Sequence, residues 1–397
     1  MKKNYNASMI LIAIIFMDLL TGMEFDLFVP SFPQLQRYFN LTPFWVEALL
    51  SINFTGYCAS LFFVGKLADR VGRKPIILLG LIIFIIGSIL CLCEKDYGFL
   101  LVGRLLQGIG IAAPAILSFL IIADIYPIKQ QQFLMAMLNG SMNTAVAAAP
   151  VLGSYIALYF HWQGNFAALL ILGLITLLMT LLFIPSYKIP KNPEAILPHG
   201  YIHVFRSKPL MLLIAMFLFS FVPYWIFVGM SPLLYIKEFG VSLQHFGFYQ
   251  GILALVFAIG SIVFGFMIKN KNYNQQKMLI ITLQIFMISI VMIAVLSVLN
   301  SANPLLITLS MLIFVAGQII PSTLLYPICL NFMPEAKGQV SAIMQGGRLI
   351  FTSIALQIAG YTYVGSFRNI GMIINFFIII TVILLFCVIK TRRLRLV

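Results

Sequence analysis

The sequence predicts an all-α membrane protein with 12 transmembrane helices in two six-helix bundles, and three observations predict this fold. The 397 residues are 61% hydrophobic and 9% charged, whereas a soluble domain is about 45–50% apolar and about 25% charged. Apolar runs long enough to cross about 30 Å of hydrocarbon recur along the whole chain. Lys and Arg lie at the ends of these runs, in alternate connectors, as membrane topology requires. The lipid bilayer is therefore the expected solvent.

The apolar runs divide into 12 spans joined by short polar connectors. The spans cover residues 8–30, 45–65, 75–93, 98–122, 135–160, 164–185, 209–236, 246–268, 276–299, 303–330, 340–363 and 368–390. The longest connector, 186–208, is rich in proline and basic residues, and we interpret it as a cytoplasmic central loop. It separates an N-terminal bundle, 1–185, from a C-terminal bundle, 209–397. Transporters built from such repeats bind substrate near the midplane, between the halves.

The basic residues predict the orientation of the spans. With both termini in the cytoplasm, the cytoplasmic side holds 19 Lys and Arg, the opposite side holds four, and two lie within spans, which accounts for all 25. This bias follows the positive-inside rule. Lys2 and Lys3 before an apolar run resemble a secretory signal, but Asp18 interrupts the run and no cleavage site follows. We therefore expect the first helix to stay as an uncleaved anchor.

Composition and motifs exclude several other classes of protein. The net charge of +14 does not indicate a nucleic-acid partner, because the basic residues are not gathered on one soluble face. The five Cys and four His have neither metal-site nor disulfide spacing. The sequence has no phosphate loop, zinc-protease motif or nucleophile elbow. We expect a monomer that is not an enzyme and holds no metal.

Three carboxylates lie in the first predicted span, Asp18, Glu24 and Asp26. Charged residues in a span are costly and mark ion or substrate paths. On one continuous helix, Asp18 and Asp26 differ by about 80° in direction and about 12 Å in height, so both could face one cavity, whereas Glu24 points roughly 160° from Asp26. A carboxylate buried away from water keeps its proton to higher pH. We therefore expect Asp18 or Asp26 to bind a proton and release it when a cation arrives.

Two basic residues also lie within predicted spans, Arg104 in the fourth and Arg348 in the eleventh. An Arg at the centre of a helix costs roughly 2.5–3.5 kcal/mol on insertion scales, so it rarely faces lipid. Arg104 either faces the cavity and tunes a nearby acid, or extends to the outer interface. Arg348 either pairs with an acid or an anionic substrate group, or bonds to backbone carbonyls within the bundle.

Aromatic residues are plentiful, and most are expected to face lipid, other helices or the interfacial belts. A hydrophobic substrate pocket needs some of them as its lining. The candidates for this lining are Phe54, Tyr57, Tyr224, Trp225 and Tyr249.

The connector after the second span carries the most specific motif. It reads Gly65-Lys66-Leu67-Ala68-Asp69-Arg70-Val71-Gly72-Arg73-Lys74-Pro75. The positive-inside rule explains its bases, but not its acid or its glycines, which suit a loop that pairs with a neighbouring helix end. This stretch resembles the loop motif of the major facilitator superfamily, Gly-x-Leu-Ala-Asp-Arg-x-Gly-Arg-Lys. The resemblance implies that Asp69 and Arg73, beside Arg70, hold a cytoplasmic gate, with Gly65 and Gly72 at tight turns.

Two further stretches resemble motifs of the same family. Arg104-Leu105-Leu106-Gln107-Gly108 resembles its Arg-x-x-x-Gly element. Residues 149–154, Ala-Pro-Val-Leu-Gly-Ser, partly resemble the antiporter motif Gly-Pro-x-x-Gly-Gly through Pro150 and Gly153. Small residues let helices approach closely, and the proline bends the helix. Because this motif marks export in the family, the loss of two of its glycines weakens the prediction of direction.

A narrower resemblance is to the Bcr/CflA drug-resistance subgroup and to MdfA-like multidrug transporters. It rests on Asp-Leu-Phe-Val-Pro-Ser-Phe-Pro at 26–33, Asp-Ile-Tyr-Pro at 124–127, and Lys-Gly-Gln-Val-Ser-Ala at 337–342. The resemblance implies that Asp18 and Asp26 take part in proton and cation recognition.

The resemblance implies a proton-coupled antiporter that exports drugs or other amphipathic small molecules by alternating access. Protons are the coupling ion and no other cofactor is expected. The implied place is the bacterial cytoplasmic (inner) membrane, with both termini in the cytoplasm. A dedicated metabolite transporter, for a siderophore or an amino acid in either direction, remains the alternative. The altered antiporter motif, Ala123 in place of an expected Arg, and Arg348 keep this alternative open.

Overall fold

The computed structural model describes residues 7–93, 96–126, 128–186, 201–270, 274–333 and 337–390, and in this part of the chain it is helical almost throughout. The helices are α1 (Ala7–Glu24), α2 (Phe32–Tyr38), α3 (Pro43–Val71), α4 (Arg73–Cys91), α5 (Tyr97–Ile125), α6 (Ile128–Phe183), α7 (Tyr201–Arg206), α8 (Lys208–Pro232), α9 (Leu243–Asn270), α10 (Gln275–Val298), α11 (Pro304–Phe332), α12 (Lys337–Thr362) and α13 (Phe367–Lys390). A 3₁₀ turn at Val29–Ser31 precedes α2, and a π-helical segment at Leu233–Glu238 follows α8.

Several helices begin where the sequence supplies a cap. Asp96 accepts a hydrogen bond from the backbone of Gly98 at the start of α5. Asn274 and Asn303 do the same for the first turns of α10 and α11. These side chains occupy backbone donors that a helix start leaves without an intrahelical partner.

Eleven helical segments among the described residues are long and apolar enough to cross a membrane. One of them, Ser141–Phe183, has 43 residues and would extend about 64 Å as one helix, about twice the thickness of the hydrocarbon core. His161 interrupts it with a non-helical backbone (φ 55°, ψ −168°). This segment therefore contains two spans, and the described residues hold the 12 spans that the sequence predicts.

The chain divides into two compact units. The first contains residues 1–192 and Leu243–Gly251, and the second contains residues 193–242 and 252–397. In the first unit, α5 packs against α3 and α4, and α6 packs against α1 and α4. In the second unit, α8 packs against α11, α12 and α13, and α10 packs against α11 and α13. Of the predicted central loop, 186–208, residues 187–200 lie outside the described part.

The first span differs from the prediction of one helix over 8–30. Helix α1 ends at Glu24, and residues 25–28 form turns before the 3₁₀ segment. Pro30 gives the physical reason, because in a continued helix its ring would clash with the carbonyl four residues earlier. Asp26 therefore lies beyond the helix, and the angles that we derived between Asp18, Glu24 and Asp26 on one continuous helix are wrong.

The predicted loop after the second span is almost entirely helical. Helix α3 continues to Val71, and α4 begins at Arg73. Gly72 alone joins them, with a φ of 110° that residues with a side chain rarely adopt. The expectation of a tight turn at Gly72 is confirmed. The same expectation for Gly65 is wrong, because Gly65 lies within α3.

Candidate functional site

A buried ion pair lies in the first unit. The Arg104 Nη1 atom of α5 is 2.7 Å from Oε1 of Glu24, the last residue of α1, and both side chains are fully buried. The guanidinium also stacks on the ring of Phe28, 4.0 Å from its centroid. The alternative in which Arg104 extends to the interface is therefore wrong. The acid that Arg104 contacts is Glu24.

Polar side chains from α3, α4 and α5 extend this pair into a network, which we call the Glu24–Arg104 network. Asn53 donates to Glu24 Oε1 at 2.7 Å. Arg104 donates to Gln107 Oε1 at 2.7 Å, and the Gln107 amide donates to the Ser88 hydroxyl at 2.9 Å. These five side chains are buried. A hydrogen-bonded chain of polar groups therefore crosses four helices.

The Arg-x-x-x-Gly spacing explains how this network assembles. A Cβ atom at Gly108 would lie 2.1 Å from the carbonyl oxygen of Asn53, so only glycine permits this approach of α3 and α5. The same approach lets the Asn53 amide donate to the backbone carbonyl of Arg104 at 3.0 Å. The Arg104 Nε atom in turn donates to the carbonyl of Leu49, 3.4 Å away. The motif therefore places the charged residue, Arg104, one helical turn before Gly108, the residue at which α5 closely approaches α3.

The network leaves several polar atoms without a protein partner. Among the described residues, Glu24 Oε2, Asn53 Oδ1 and Arg104 Nη2 are buried and have no hydrogen bond. Such groups are rare in folded proteins, and each requires an explanation such as a bound water, ion or proton. The site thus has unused hydrogen-bonding capacity beside a buried charge.

Two further carboxylates lie near the network. Asp26 is buried and close enough to Glu24 for the two to interact electrostatically. Asp18 is also buried, on α1, close to Ser118 of α5, and its Oδ2 atom has no hydrogen-bond partner among the described residues. By helix rise, Asp18 lies about 9 Å from Glu24 along α1. All three acids of the predicted first span are therefore inside the protein.

The partial antiporter motif packs against the break that follows α1. A Cβ atom at Gly153 of α6 would lie 1.9 Å from the carbonyl oxygen of Leu27. Asn165 of the same long helix donates to the Gly153 carbonyl at 3.2 Å and to the Ser31 hydroxyl at 2.6 Å. Gly153 therefore packs directly on the turn that contains Asp26 and Phe28, and Asn165 links Gly153 to Ser31 just after this turn.

Residues 14–356 match the family model described as Major Facilitator Superfamily. The chain belongs to this superfamily. It is a multi-pass membrane transporter of small molecules and not an enzyme. The Bcr/CflA subgroup remains a prediction.

Curated relatives within the superfamily carry the name Multidrug resistance protein MdtL. The protein from Klebsiella pneumoniae (strain 342) is 25% identical over 232 residues, which are 58% of this chain and 59% of that protein. The protein from Escherichia coli O9:H4 (strain HS) is 34% identical over 170 residues, 43% of either chain. The matched region thus spans about half the length of these relatives.

Solved superfamily structures cover nearly the whole chain. The D-xylose–proton symporter superimposes with a TM-score of 0.75 at 14% identity, covering 95% of this chain and 97% of the symporter. A bacterial homologue of the human lysosomal transporter Spinster gives a TM-score of 0.73 at 17% identity, covering 98% and 97%. At this identity the likeness establishes the fold alone.

The superfamily loop motif places Arg73 at the start of α4, where its Nε atom is 3.1 Å from Oδ2 of Asp124 at the end of α5. Lys74 donates to the carbonyl of Leu181, near the end of α6, at 2.8 Å. Arg70 is exposed, and the side chain of Asp69 lies outside the described residues. The motif therefore joins three helix ends, and the gate role of its residues stays a prediction.

Among the other candidate residues, Arg348, Tyr224 and Trp225 belong to the second unit and Tyr249 belongs to the first. Arg348 of α12 is 4.9 Å from the ring centroid of Phe221 of α8. Tyr224 and Trp225 of α8 contact each other edge to face at 5.7 Å, and Tyr249 of α9 is half-buried. The pocket-lining role of Tyr224, Trp225 and Tyr249 stays a prediction, and so does the role of Arg348 in proton or substrate coupling.

The remaining aromatic candidates belong to the first unit. Phe54 is fully buried, and its ring centroid is 5.1 Å from that of Phe25. Tyr57 contacts the same ring edge to face at 5.7 Å. Phe25 directly follows Glu24, so this aromatic cluster adjoins the residue that carries the buried charge.

Sequence reasoning missed several members of the site. It did not single out Asn53, Ser88 or Phe28, and it named Gln107 only as a letter of the motif. Polar residues inside apolar spans are the available signal, since each needs a partner away from water. Glu47, a fourth carboxylate inside a predicted span, was overlooked although the same cost argument applies to it.

Proposed function

We propose that this transporter is a proton-coupled antiporter that exports amphipathic small molecules, with lipophilic cations as its first substrate class. The observation that carries the proposal is the charge balance of the first unit. Glu24 and Asp26 are two buried carboxylates that interact electrostatically, and Glu24 is paired with the buried base Arg104. With all three ionised, the cluster has one excess negative charge.

An excess buried charge is costly until a cation neutralises it. A proton on a carboxylate or a monovalent organic cation beside it would each restore the balance. Both at once would leave one excess positive charge. Occupancy by one therefore disfavours the other, and this competition is the physical basis of exchange.

The pairing of Arg104 assigns different roles to the two acids. Glu24 holds the guanidinium at 2.7 Å, whereas no base among the described residues lies within ion-pair distance of Asp26. We therefore assign the exchangeable proton to Asp26. Glu24 and Arg104 act as positioning residues, and Asp18 is a second proton acceptor further along α1.

Other observations support export of drug-like compounds without establishing it. The curated relatives, which this chain matches over about half of their length, are named multidrug resistance proteins. The rings of Phe25, Phe54 and Tyr57 form a cluster, and Phe25 directly follows Glu24 in the chain. Such rings suit lipophilic cations. The positive-inside distribution supports placement in a bacterial cytoplasmic membrane with both termini in the cytoplasm.

Transport in everted membrane vesicles tests the proposal. Vesicles that contain the chain and are energised with a proton gradient should accumulate tetraphenylphosphonium, a lipophilic cation, and a protonophore should abolish this. Accumulation of tetraphenylphosphonium should be at least tenfold lower in vesicles that contain Asp26→Asn. Asp96→Asn is the matched control, because Asn caps a helix as well as Asp does. Equal accumulation by vesicles without the chain, or by Asp26→Asn, would overturn the proposal.

A further inference from the structure

Glu47 is a buried carboxylic acid that the proposed exchange does not use. It lies in the second turn of α3, and no part of its side chain is exposed. Both of its carboxyl oxygens are buried, and neither forms a hydrogen bond to any residue that the structure describes. In this respect it differs from Glu24, which has Arg104 and Asn53 as partners.

Among the residues that the structure describes, the helices packed against α3 provide no base within ion-pair distance of Glu47. On α5, Tyr97 is the ionisable neighbour, and its hydroxyl donates to the carbonyl of Trp45. Arg104, further along α5, is engaged with Glu24. On α2, Arg37 is exposed. On α4, the Cys91 thiol contacts the carbonyl of Leu100.

An ionised carboxylate in these surroundings would be unstable. Transfer of an ion from water to a protein interior costs several kcal/mol even after relaxation, and a nearby base or several hydrogen bonds must offset this cost. Neither is present around Glu47 among the described residues. A neutral acid avoids most of the cost, so the carboxyl group carries a proton in this conformation.

We propose that Glu47 is a further proton-binding group of the first unit, separate from the Glu24–Arg104 network and loaded in the conformation seen here. Its ligand is a proton. Glu47 precedes Asn53 of the network by six residues, about 9 Å along α3. The predicted orientation places this end of α3 on the outer side of the membrane, so a role as an outer proton-loading site rests on the proposed function. The proposal that Glu47 binds a proton does not depend on the proposed function.

Infrared spectroscopy of the purified full-length chain tests the proposal directly. A protonated carboxyl group has a C=O stretching band, and a carboxylate absorbs at much lower frequency. The C=O band lies at the high-frequency end of its range when the group has no hydrogen bond. The wild-type spectrum at neutral pH should contain a protonated-acid band that Glu47→Gln removes and Glu47→Asp shifts. The band should disappear reversibly as the pH is raised. Glu238→Gln is the matched control, since Glu238 is a partly exposed acid beside Lys237.

Two results would overturn the proposal. Loss of a carboxylate band in Glu47→Gln would show that Glu47 is ionised, and a band that persists until the protein unfolds would show a permanently neutral, structural acid. Gln resembles the protonated acid in shape and charge, so Glu47→Gln should melt within about 2 °C of the wild type. Because the spectra need no transported substrate, failure of drug export would leave this test intact.

Discussion

The Nη1 atom of Arg104 and the Oε1 atom of Glu24 are 2.7 Å apart, and both side chains are fully buried. This pair joins the end of α1 to α5 at the point where the first span breaks. Asp26 lies two residues beyond it, in the turn that Gly153 contacts through Leu27. The residues that carry charge and the residues that shape the backbone therefore meet at one place.

The ion pair predicts strong coupling between its two residues. Glu24→Gln leaves the Arg104 guanidinium buried without a counter-charge, so we expect a loss of about 3–5 kcal/mol in the free energy of unfolding. Arg104→Gln should cost a similar amount. The double variant removes both charges and should recover at least half of the lost stability, as measured by thermal unfolding in detergent.

Transport assays of the same variants distinguish an effect on folding from an effect on proton–substrate coupling. The double variant should fold but fail to accumulate tetraphenylphosphonium against a gradient. It keeps the one excess negative charge of the cluster but lacks the two charged groups that position Asp26. If the single changes cost no stability, or if the double variant transports like the wild type, the assigned role of the pair is wrong.

Gly153 predicts a steric effect at the turn after α1. The added methyl group of Gly153→Ala would lie 1.9 Å from the Leu27 carbonyl oxygen, so backbone has to move. We expect a loss of about 1–3 kcal/mol in the free energy of unfolding and reduced transport. Gly265→Ala is the control, because its Cβ atom meets nothing within 4 Å. A Gly153→Ala protein as stable and active as Gly265→Ala would contradict the prediction.

The Arg73–Asp124 pair predicts a smaller effect, because the two side chains are 6% and 24% exposed. Asp124→Asn should lower the free energy of unfolding by about 1 kcal/mol. It should also lower the transport rate, because it weakens the junction of α4 and α5. The exchange of both residues, Arg73→Asp with Asp124→Arg, should restore part of the rate. Lys277→Ala, a change of an exposed basic residue at the start of α10, should leave the rate unchanged. If Asp124→Asn transports at the wild-type rate, the Arg73–Asp124 pair takes no part in the gate.

The sequence predicts the helices well because spans in lipid need long apolar runs with internally satisfied backbones. It predicts the break at α1 poorly, since Pro30 signals an interruption but not where the helix ends. The partner of Arg104 was not predicted for a related reason. Angles around one ideal helix placed Glu24 away from Asp26. In the structure, Glu24 at the end of α1 contacts the guanidinium, and Asp26 in the turn at 25–28 lies close enough to Glu24 to interact with it electrostatically.

Pairings between distant segments were also beyond sequence reasoning. Asn53 and Gln107 are polar positions in apolar spans, yet only the approach at Gly108 shows that they share one network. The same holds for Arg73 and Asp124, which are separated by 51 positions in the chain. Motifs indicated which residues matter, and helix packing decided which residues they contact.

The central claim is exchange of a proton for a cation at Asp26, and proton release on substrate binding tests it most directly. The purified wild-type chain, in weakly buffered detergent with a pH indicator, should release protons when tetraphenylphosphonium is added. Asp26→Asn should release none, and Asp96→Asn should match the wild type. Binding of tetraphenylphosphonium to the wild type, measured by equilibrium dialysis, without any release of protons would contradict the claim.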